Sequence, residues 1–193
     1  MAHPRSGSSV PGVLVLVLLA AACDVGNGGQ GGFTASDPTT DLARTAIEAH
    51  NQFRANASPK PSPALPAVQW SSQVEAVAAA WAANCVYKHN AARGNLGENI
   101  AADAPPGAWP TIAEVVQAWA SEAQWYDYAS NGCSAPPGQD CGHYTQVVWR
   151  DSTLIGCAYA RCSTNSPFPG YSTWDFWVCD YSPPGNWVGE RPY

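Results

Sequence analysis

The cysteine content constrains this chain more than any other feature of its sequence. The 193 residues include seven cysteines, an odd number. Six of them lie between positions 85 and 179, and they are Cys85, Cys133, Cys141, Cys157, Cys162 and Cys179. An even set of cysteines in an exported domain predicts three disulfides. Zinc-binding cysteines are the alternative, which the spacing disfavours because the sequence contains no Cys-x-x-Cys pair.

The seventh cysteine, Cys23, follows an N-terminal segment that has the features of an export signal. Arg5 supplies a positive charge, and the apolar run 13–22 is too short to span a bilayer as a helix. The segment LAAAC is similar to a bacterial lipobox, in which the cysteine is acylated. We therefore expect a signal peptide over residues 1–22 and a lipid on Cys23. An ordinary secretory signal, cut near Ala22, is the alternative.

Composition divides the rest of the chain into a tether and one domain. Residues 23–40 are rich in glycine and polar residues, which is typical of a flexible tether, and 41–193 is long enough for a single domain. The net charge is −6, with only 12% charged residues. This balance argues against a nucleic-acid partner, and we expect contact with a membrane only through the lipid anchor at Cys23.

Hydrophobic periodicity predicts three helices before residue 131. We expect them over 41–57, over about 72–84 and from Thr111 onward. The last two each begin with a capping-box pattern, Ser72 with Glu75 and Thr111 with Glu114. The stretch 85–110 has no clear period and is predicted to be irregular.

The later part of the chain alternates between apolar and polar residues and predicts strands. Residues 143–150, 154–162 and 172–181 are the three candidates, and the first of them places His143 on the same inward face as Val147. Three helices followed by three antiparallel strands favour an α+β domain in which the helices pack on the sheet.

His143 is the first candidate for a functional site, because a partly buried imidazole needs a hydrogen-bond partner or a metal. Glu122, at the edge of the third helix's apolar stripe, is a candidate partner, and His89 and Glu98 stand out in the irregular segment. Two histidines and two glutamates brought together would suit a divalent metal. A hydrogen-bonded core histidine and a glutamate that accepts from turn amides are the alternatives. The sequence contains no HExxH or GxSxG motif.

Several long motifs occur in a fixed order over residues 41–193. They are AHNQFRA, KHN, GENIA, WASEAQWYDY, GHYTQVVW, FWVCDYSPPGN and PPGNWVGERPY. Together they resemble the CAP superfamily of cysteine-rich secretory proteins, antigen five and pathogenesis-related one proteins (the SCP domain). The C-terminal motif is most like the plant pathogenesis-related one branch. Asp180 departs from the pattern, since asparagine is common at that position.

The resemblance implies a fold and a site. The fold is an α-β-α sandwich with a central antiparallel sheet between helical layers. The site is a cleft that holds His89, Glu98, Glu122 and His143. The two histidines would ligate zinc or another divalent metal directly, with the carboxylates nearby, often through water.

The resemblance also implies roles for residues outside the cleft. His50 belongs to the first-helix motif, and its implied role is structural, with Asn51 and Arg54 bonding neighbouring groups. The implied disulfides are Cys85–Cys162, Cys133–Cys141 and Cys157–Cys179.

Three functions remain open for such a protein, which we expect to be an extracellular or cell-envelope monomer. Relatives bind sterols or other lipids, so a lipid- or partner-binding module is the first interpretation. A metal-dependent hydrolase, with a glutamate as general base, is the second. The third is a source of a C-terminal signalling peptide, residues 183–193, although the departure at Asp180 weakens that inference.

Overall fold

The structure is a computed structural model, and it describes residues 33–37 and 39–193. These residues belong to one compact unit, Gly32–Tyr193. The predicted signal peptide, Cys23 and most of the predicted tether lie outside the described residues. Within the described part, no helix has the length and apolar character needed to cross a bilayer.

Four α-helices and six strands make up the described elements. The helices are α1 (Asp41–Ala55), α2 (Ser72–Ala82), α3 (Ile112–Ser121) and α4 (Gly142–Val147). The strands are β1 (Gln69–Trp70), β2 (Gly97–Asp103), β3 (Tyr126–Asp127), β4 (Gly132–Cys133), β5 (Leu154–Cys162) and β6 (Trp174–Ser182). A 3-10 turn, Glu122–Gln124, extends α3.

The main sheet has four strands in the order β1-β5-β6-β2. Strands β5, β6 and β2 are antiparallel, whereas the short edge strand β1 runs parallel to β5. The sheet is therefore mixed at one edge and not wholly antiparallel. Strand β2 lies in the segment predicted to be irregular. It escaped detection because its burial is nearly continuous, so it lacks the alternation that identifies a half-buried strand.

The segment 143–150 is not the predicted strand, because its first residues form the helix α4. Tyr144 and Val147 are three positions apart, and both are buried in the main core. That helical spacing decides the conformation despite the alternating pattern, since tertiary packing overrides strand propensity. His143 consequently lies in the first turn of a helix and not at the entrance of a strand.

Helices cover both faces of the sheet, which confirms the predicted α-β-α sandwich. On one face, Ala78 and Ala82 of α2 pack against Phe176 and Val178 of β6. This layer sits very close to the sheet, because a Cβ on Gly156 of β5 would lie only 2.0 Å from the backbone of α2. Helices α1, α3 and α4 cover the other face and enclose the larger core.

Local capping fixes where the helices begin. Thr111 and Glu114 form the predicted capping box at the start of α3. Helix α2 is capped one residue earlier than predicted, because the side chain of Ser71, and not that of Ser72, accepts from the amide of Val74. Both caps satisfy amides that the first helical turn leaves unpaired.

Three disulfides join separate parts of the fold in the pairs that the resemblance implies. They are Cys85–Cys162, Cys133–Cys141 and Cys157–Cys179. The first ties the segment after α2 to the end of β5, and the third links directly opposite residues of β5 and β6. Disulfides of this number are typical of proteins in oxidising, extracytoplasmic compartments.

The first described residues already belong to the domain surface. The amide of Ser36 donates to the carbonyl of Trp70, and its hydroxyl accepts from the amide of Ser72. Thr34 bonds to the side chain of Gln73. The end of the segment assigned to the tether therefore lies against β1 and the start of α2.

Candidate metal centre

His89 and Glu98 form the first of two similar carboxylate–histidine pairs. The ring Nδ1 of His89 lies 2.7 Å from Oε1 of Glu98, which also accepts from the amide of Asn90 at 2.9 Å. Glu98 lies on β2, and its side chain is fully buried, whereas that of His89 is 56% exposed. A rigid strand thus holds the carboxylate, which in turn orients an accessible imidazole.

His143 and Glu122 form the second pair. The ring Nδ1 of His143 lies 2.6 Å from Oε1 of Glu122. Oε2 of the same carboxylate accepts from the amides of His143 and Tyr144, at 3.0 and 3.1 Å. The indole of Trp119 stacks on the imidazole with the two planes 13° apart. Glu122 therefore caps the first turn of α4 and fixes the ring that this turn carries.

Both pairs leave the same ring nitrogen available. Because a carboxylate oxygen accepts, each Nδ1 donates, and in the neutral form of the ring Nε2 then carries the lone pair that a metal can take. A carboxylate on the far nitrogen is the arrangement that orients zinc-binding histidines in proteins. The donor set of His89 and His143 thus fits a divalent metal.

A buried network brings the two pairs to the same end of the sheet. Asn99, next to Glu98 on β2, donates to the carbonyl of His143 at 3.1 Å and to the hydroxyl of Tyr181 at 3.1 Å. That hydroxyl also bonds to Nε2 of His50 at 2.9 Å. The network therefore connects β2 with the helix that carries the second histidine.

His50 has the structural role that the resemblance implies. Its Nδ1 lies 2.7 Å from the carbonyl of Ala46, and burial lowers the pKa of the ring to about 4. A neutral ring can donate to that carbonyl and accept from the hydroxyl of Tyr181. Arg54 and Asn51 bond backbone groups of other segments, which ties α1 to the loops around it.

A cavity of about 430 Å³ opens beside the first pair. Its lining includes His89 and Glu98 but not His143 or Glu122. A close approach between β2 and α4 shapes one side, because a Cβ on Gly97 would lie 2.2 Å from the side chain of Gln146. Whether both imidazoles hold one ion stays a prediction.

The structure adds one ligand candidate that sequence reasoning missed. Ligand atoms of Glu122, Asp140 and His143 all lie within 4.8 Å of one another, a spacing that could hold a cation. Asp140 is exposed, and its Oδ1 accepts from the amide of Gly142 at 2.6 Å. Its place beside the disulfide cysteine Cys141, three residues before His143, was the available signal.

Asp180, where the family pattern often has asparagine, is buried behind the first pair. It lies directly opposite Glu98 in the register of β2 and β6. Both of its carboxylate oxygens, and Oε2 of Glu98, are buried without a hydrogen-bond partner among the described residues. Burial, together with the smaller effect of the charge of Glu98, raises the pKa of Asp180 to about 8.

The C-terminal segment, residues 183–193, forms a wall of the cavity and holds α4. The amide of Gly185 donates to the side chain of Gln146 at 3.1 Å, and Asn186 accepts from the hydroxyl of Thr145 at 2.8 Å. Release of this segment as a free peptide would break these contacts beside the second histidine.

Comparison with known proteins agrees with this architecture. The family model described as the cysteine-rich secretory protein family, CAP, matches residues 47–181. Pathogenesis-related protein 1A of Nicotiana tabacum is 40% identical over 151 residues, which cover 76% of this chain and 78% of that protein. Peptidase inhibitor 16 of Mus musculus is 39% identical over 163 residues, which cover 82% of this chain. The match spans only 32% of that longer inhibitor.

Solved structures show the same fold. Na-ASP-1 superposes with a TM-score of 0.65 at 27% identity, over 83% of this chain and 43% of that one. NaASP2, in a structure with Zn²⁺, superposes with a TM-score of 0.59 at 25% identity, over 83% of this chain and 90% of that one. The motifs, the disulfide framework and the family match together establish that the chain belongs to the cysteine-rich secretory protein (CAP) family.

Proposed function

We propose that the protein is an exported binding module whose cleft holds a divalent metal, with zinc as the first candidate. His89 and His143 would be the ligands through Nε2, and Glu98 and Glu122 would orient them. The observation that carries the proposal is that each imidazole has its Nδ1 on a carboxylate at 2.6 to 2.7 Å. The structure of NaASP2 with Zn²⁺ supports zinc as the first ion to try.

A binding role is favoured over hydrolysis because the glutamates are already engaged. Glu122 accepts three hydrogen bonds, two of them from backbone amides. Oε1 of Glu98 accepts two, and the side chain is closed to solvent. A general base needs a carboxylate oxygen within reach of the water it deprotonates. Glu122 offers none without giving up contacts that hold the site together, and Oε2 of Glu98, which has no partner among the described residues, is closed to solvent.

Calorimetric titration of zinc into the metal-stripped protein tests the proposal. We expect one site, and we expect His89→Ala and His143→Ala each to weaken binding at least tenfold through the loss of one ligand. Asp140→Asn is the matched variant, because it removes the third member of the Glu122, Asp140 and His143 group. If zinc binding depends on Asp140 and His143 but not on His89, the metal is held by the group of Glu122, Asp140 and His143 and not by the two histidines. Binding that survives all three variants would refute both.

A lipid or sterol is the second proposed ligand, at a separate place. A groove of about 390 Å³ lies between the starts of α1 and α3, with Leu42, Trp109 and Ile112 in its lining. Apolar and aromatic surface of this kind suits an apolar ligand. Co-purification and pull-down with sterols would test it, and Tyr159→Asp, at an exposed residue of the lining, should abolish capture while His89→Ala leaves it unchanged. Equal capture by the Tyr159→Asp variant would rule the groove out.

We also propose that Cys23 anchors the exported protein to an envelope membrane through a lipid. The support is the position of Cys23 directly after the apolar run and LAAA. Mass spectrometry of the mature N-terminus decides the point. An acylated Cys23 is expected, with Cys23→Ser releasing the protein from the membrane fraction; a mature chain that begins elsewhere would contradict it.

A further inference from the structure

Arg93 is a half-buried cation that lies over the cavity. Its Nε donates to the carbonyl of Leu96 at 2.9 Å, and its Nη1 donates to the carbonyl of Asn90 at 2.8 Å. Within the described part of the chain, Nη2 has no hydrogen-bond partner and the guanidinium forms no ion pair. Two backbone carbonyls thus fix the orientation of this guanidinium and leave Nη2 free.

Two side chains around that free nitrogen can donate hydrogen bonds to a ligand. Arg93 and Asn95 both line the cavity, and the exposed side-chain amide of Asn95 makes no hydrogen bond with any described residue. The one acidic lining residue, Glu98, has a fully buried side chain. A ligand in the cavity would therefore meet a positive, donor-rich surface, although the chain as a whole is acidic.

An aromatic surface borders the same cavity. Trp187, on the C-terminal segment, lines it and is 54% exposed. The adjoining Val188 is fully exposed as well, so this part of the C-terminal segment lies at the surface. A planar or apolar group could pack on this ring while a polar group reaches the guanidinium.

We propose that this cavity binds a small organic oxyanion, with its carboxylate or phosphate on Arg93 and its apolar part on Trp187. An oriented guanidinium with a free Nη2 can donate a charge-assisted hydrogen bond to either oxyanion. Asn95 would donate a further hydrogen bond from the rim. The site requires no metal, so it stands or falls separately from the proposed metal centre.

The simpler role for Arg93 is to offset the buried carboxyl groups of Glu98 and Asp180. Its charge does act on Asp180, where it opposes the effect of burial. That role requires no exposed donors on Asn95 and no exposed indole at the rim. It also predicts no saturable binding of anions, which separates it from the proposal.

Titration of the metal-free protein followed by ¹⁵N NMR tests the site directly. The stripping chelator must be dialysed away, because it is itself a polycarboxylate. The probes are inorganic phosphate, phenyl phosphate and benzoate, which separate the two oxyanions from the aromatic group. We expect saturable shifts of the Arg93 Nε–H and Trp187 Nε1–H resonances, with phenyl phosphate binding several-fold more tightly than phosphate.

Variants assign the contacts. Arg93→Gln should weaken every probe about tenfold, as expected for a charge-assisted hydrogen bond. Trp187→Ala should remove only the advantage of phenyl phosphate over phosphate. Arg44→Gln, which removes an exposed arginine on α1, is the matched control and should change nothing. Shifts that do not saturate, or an equal loss in the Arg44 and Arg93 variants, would overturn the proposal.

Arg93→Gln also removes two hydrogen bonds that hold the loop, so its melting temperature must be compared with that of the parent protein. If that variant is unfolded, Asn95→Ala decides, because this exposed side chain makes no hydrogen bond with the described residues and its removal should leave the fold intact. A loss of affinity of several-fold in Asn95→Ala supports the site, and an unchanged affinity refutes it.

Discussion

At the scale of single residues, Asp180 is the position where burial and charge conflict most clearly. Its side chain is closed to solvent, and neither carboxylate oxygen has a partner among the described residues. Glu98 lies directly across the ladder and accepts two hydrogen bonds through Oε1. An ionised Asp180 would place a second, uncompensated charge beside the first, which costs several kcal/mol in a protein interior. The proton that Asp180 retains avoids that cost at neutral pH.

The pH dependence of stability follows from this retained proton. The folded pKa is about 8 and the ordinary value is 3.8. Between them the folded state binds a proton that the unfolded state releases, so the free energy of unfolding falls as pH rises, by up to about 1.4 kcal/mol per unit. Asp180→Asn removes this loss. We expect a small gain in melting temperature at pH 4 and a growing gain up to pH 8.

The matched control for that experiment is Asp151→Asn, which removes one carboxylate from an exposed position. It should leave the dependence of the melting temperature on pH as it is in the parent protein. We compare the melting temperatures of the Asp180 variant and the parent protein at each pH. If their difference stays constant from pH 4 to pH 8, the folded protein does not hold the proton on Asp180.

At the scale of elements, α4 shows what the sequence could predict and what it could not. Helices α1, α2 and α3 and strands β5 and β6 were found because each carries its own period and its own caps or turns. The segment at 143–150 also has a period, but it fits a strand as well as a helix. Its helix is stabilised by the carboxylate of Glu122, 21 positions earlier, which accepts from the amides of His143 and Tyr144. No local pattern reports a cap that comes from another element.

The candidate site was predictable to the same extent. The sequence singled out His89, Glu98, Glu122 and His143, and the structure pairs His89 with Glu98 and His143 with Glu122. For Asp140 the sequence offered only the position beside Cys141 and near His143, since an exposed aspartate in a loop has no distinctive pattern of its own. Nor could it reveal Asn99, because the role of its amide depends on α4 lying against β2.

A test of the long-range cap follows from this geometry. Glu122→Gln retains the shape of the side chain but replaces one accepting oxygen with an NH₂ group, so one buried contact is lost. We expect a loss of about 1–3 kcal/mol in the free energy of unfolding, measured by chemical denaturation. Glu114→Gln is the control, because glutamine also completes a capping box and this side chain is exposed. Equal small effects in both variants would show that Glu122 does not stabilise α4.

At the scale of the whole molecule, the three disulfides act over very different lengths of chain. Cys85–Cys162 closes a sequence separation of 77 residues, whereas Cys133–Cys141 closes 8. The long link joins the layer of α2 to the sheet, from the segment after α2 to the end of β5. The short link fixes only the loop before α4. A cross-link stabilises mainly by restricting the unfolded chain, and the restriction grows with the length of the loop.

Removal of each link should therefore have a different consequence. Replacing Cys85 and Cys162 by serine should cost roughly 4 kcal/mol in the free energy of unfolding, against roughly 2.5 kcal/mol for Cys133 and Cys141. The order should reverse for zinc affinity, because the short loop carries Asp140 and leads directly into the turn that holds His143. Denaturant titration and calorimetry on both double variants measure the two quantities. If the short link proved more important for folding than the long one, chain entropy would not be the main contribution of these bridges.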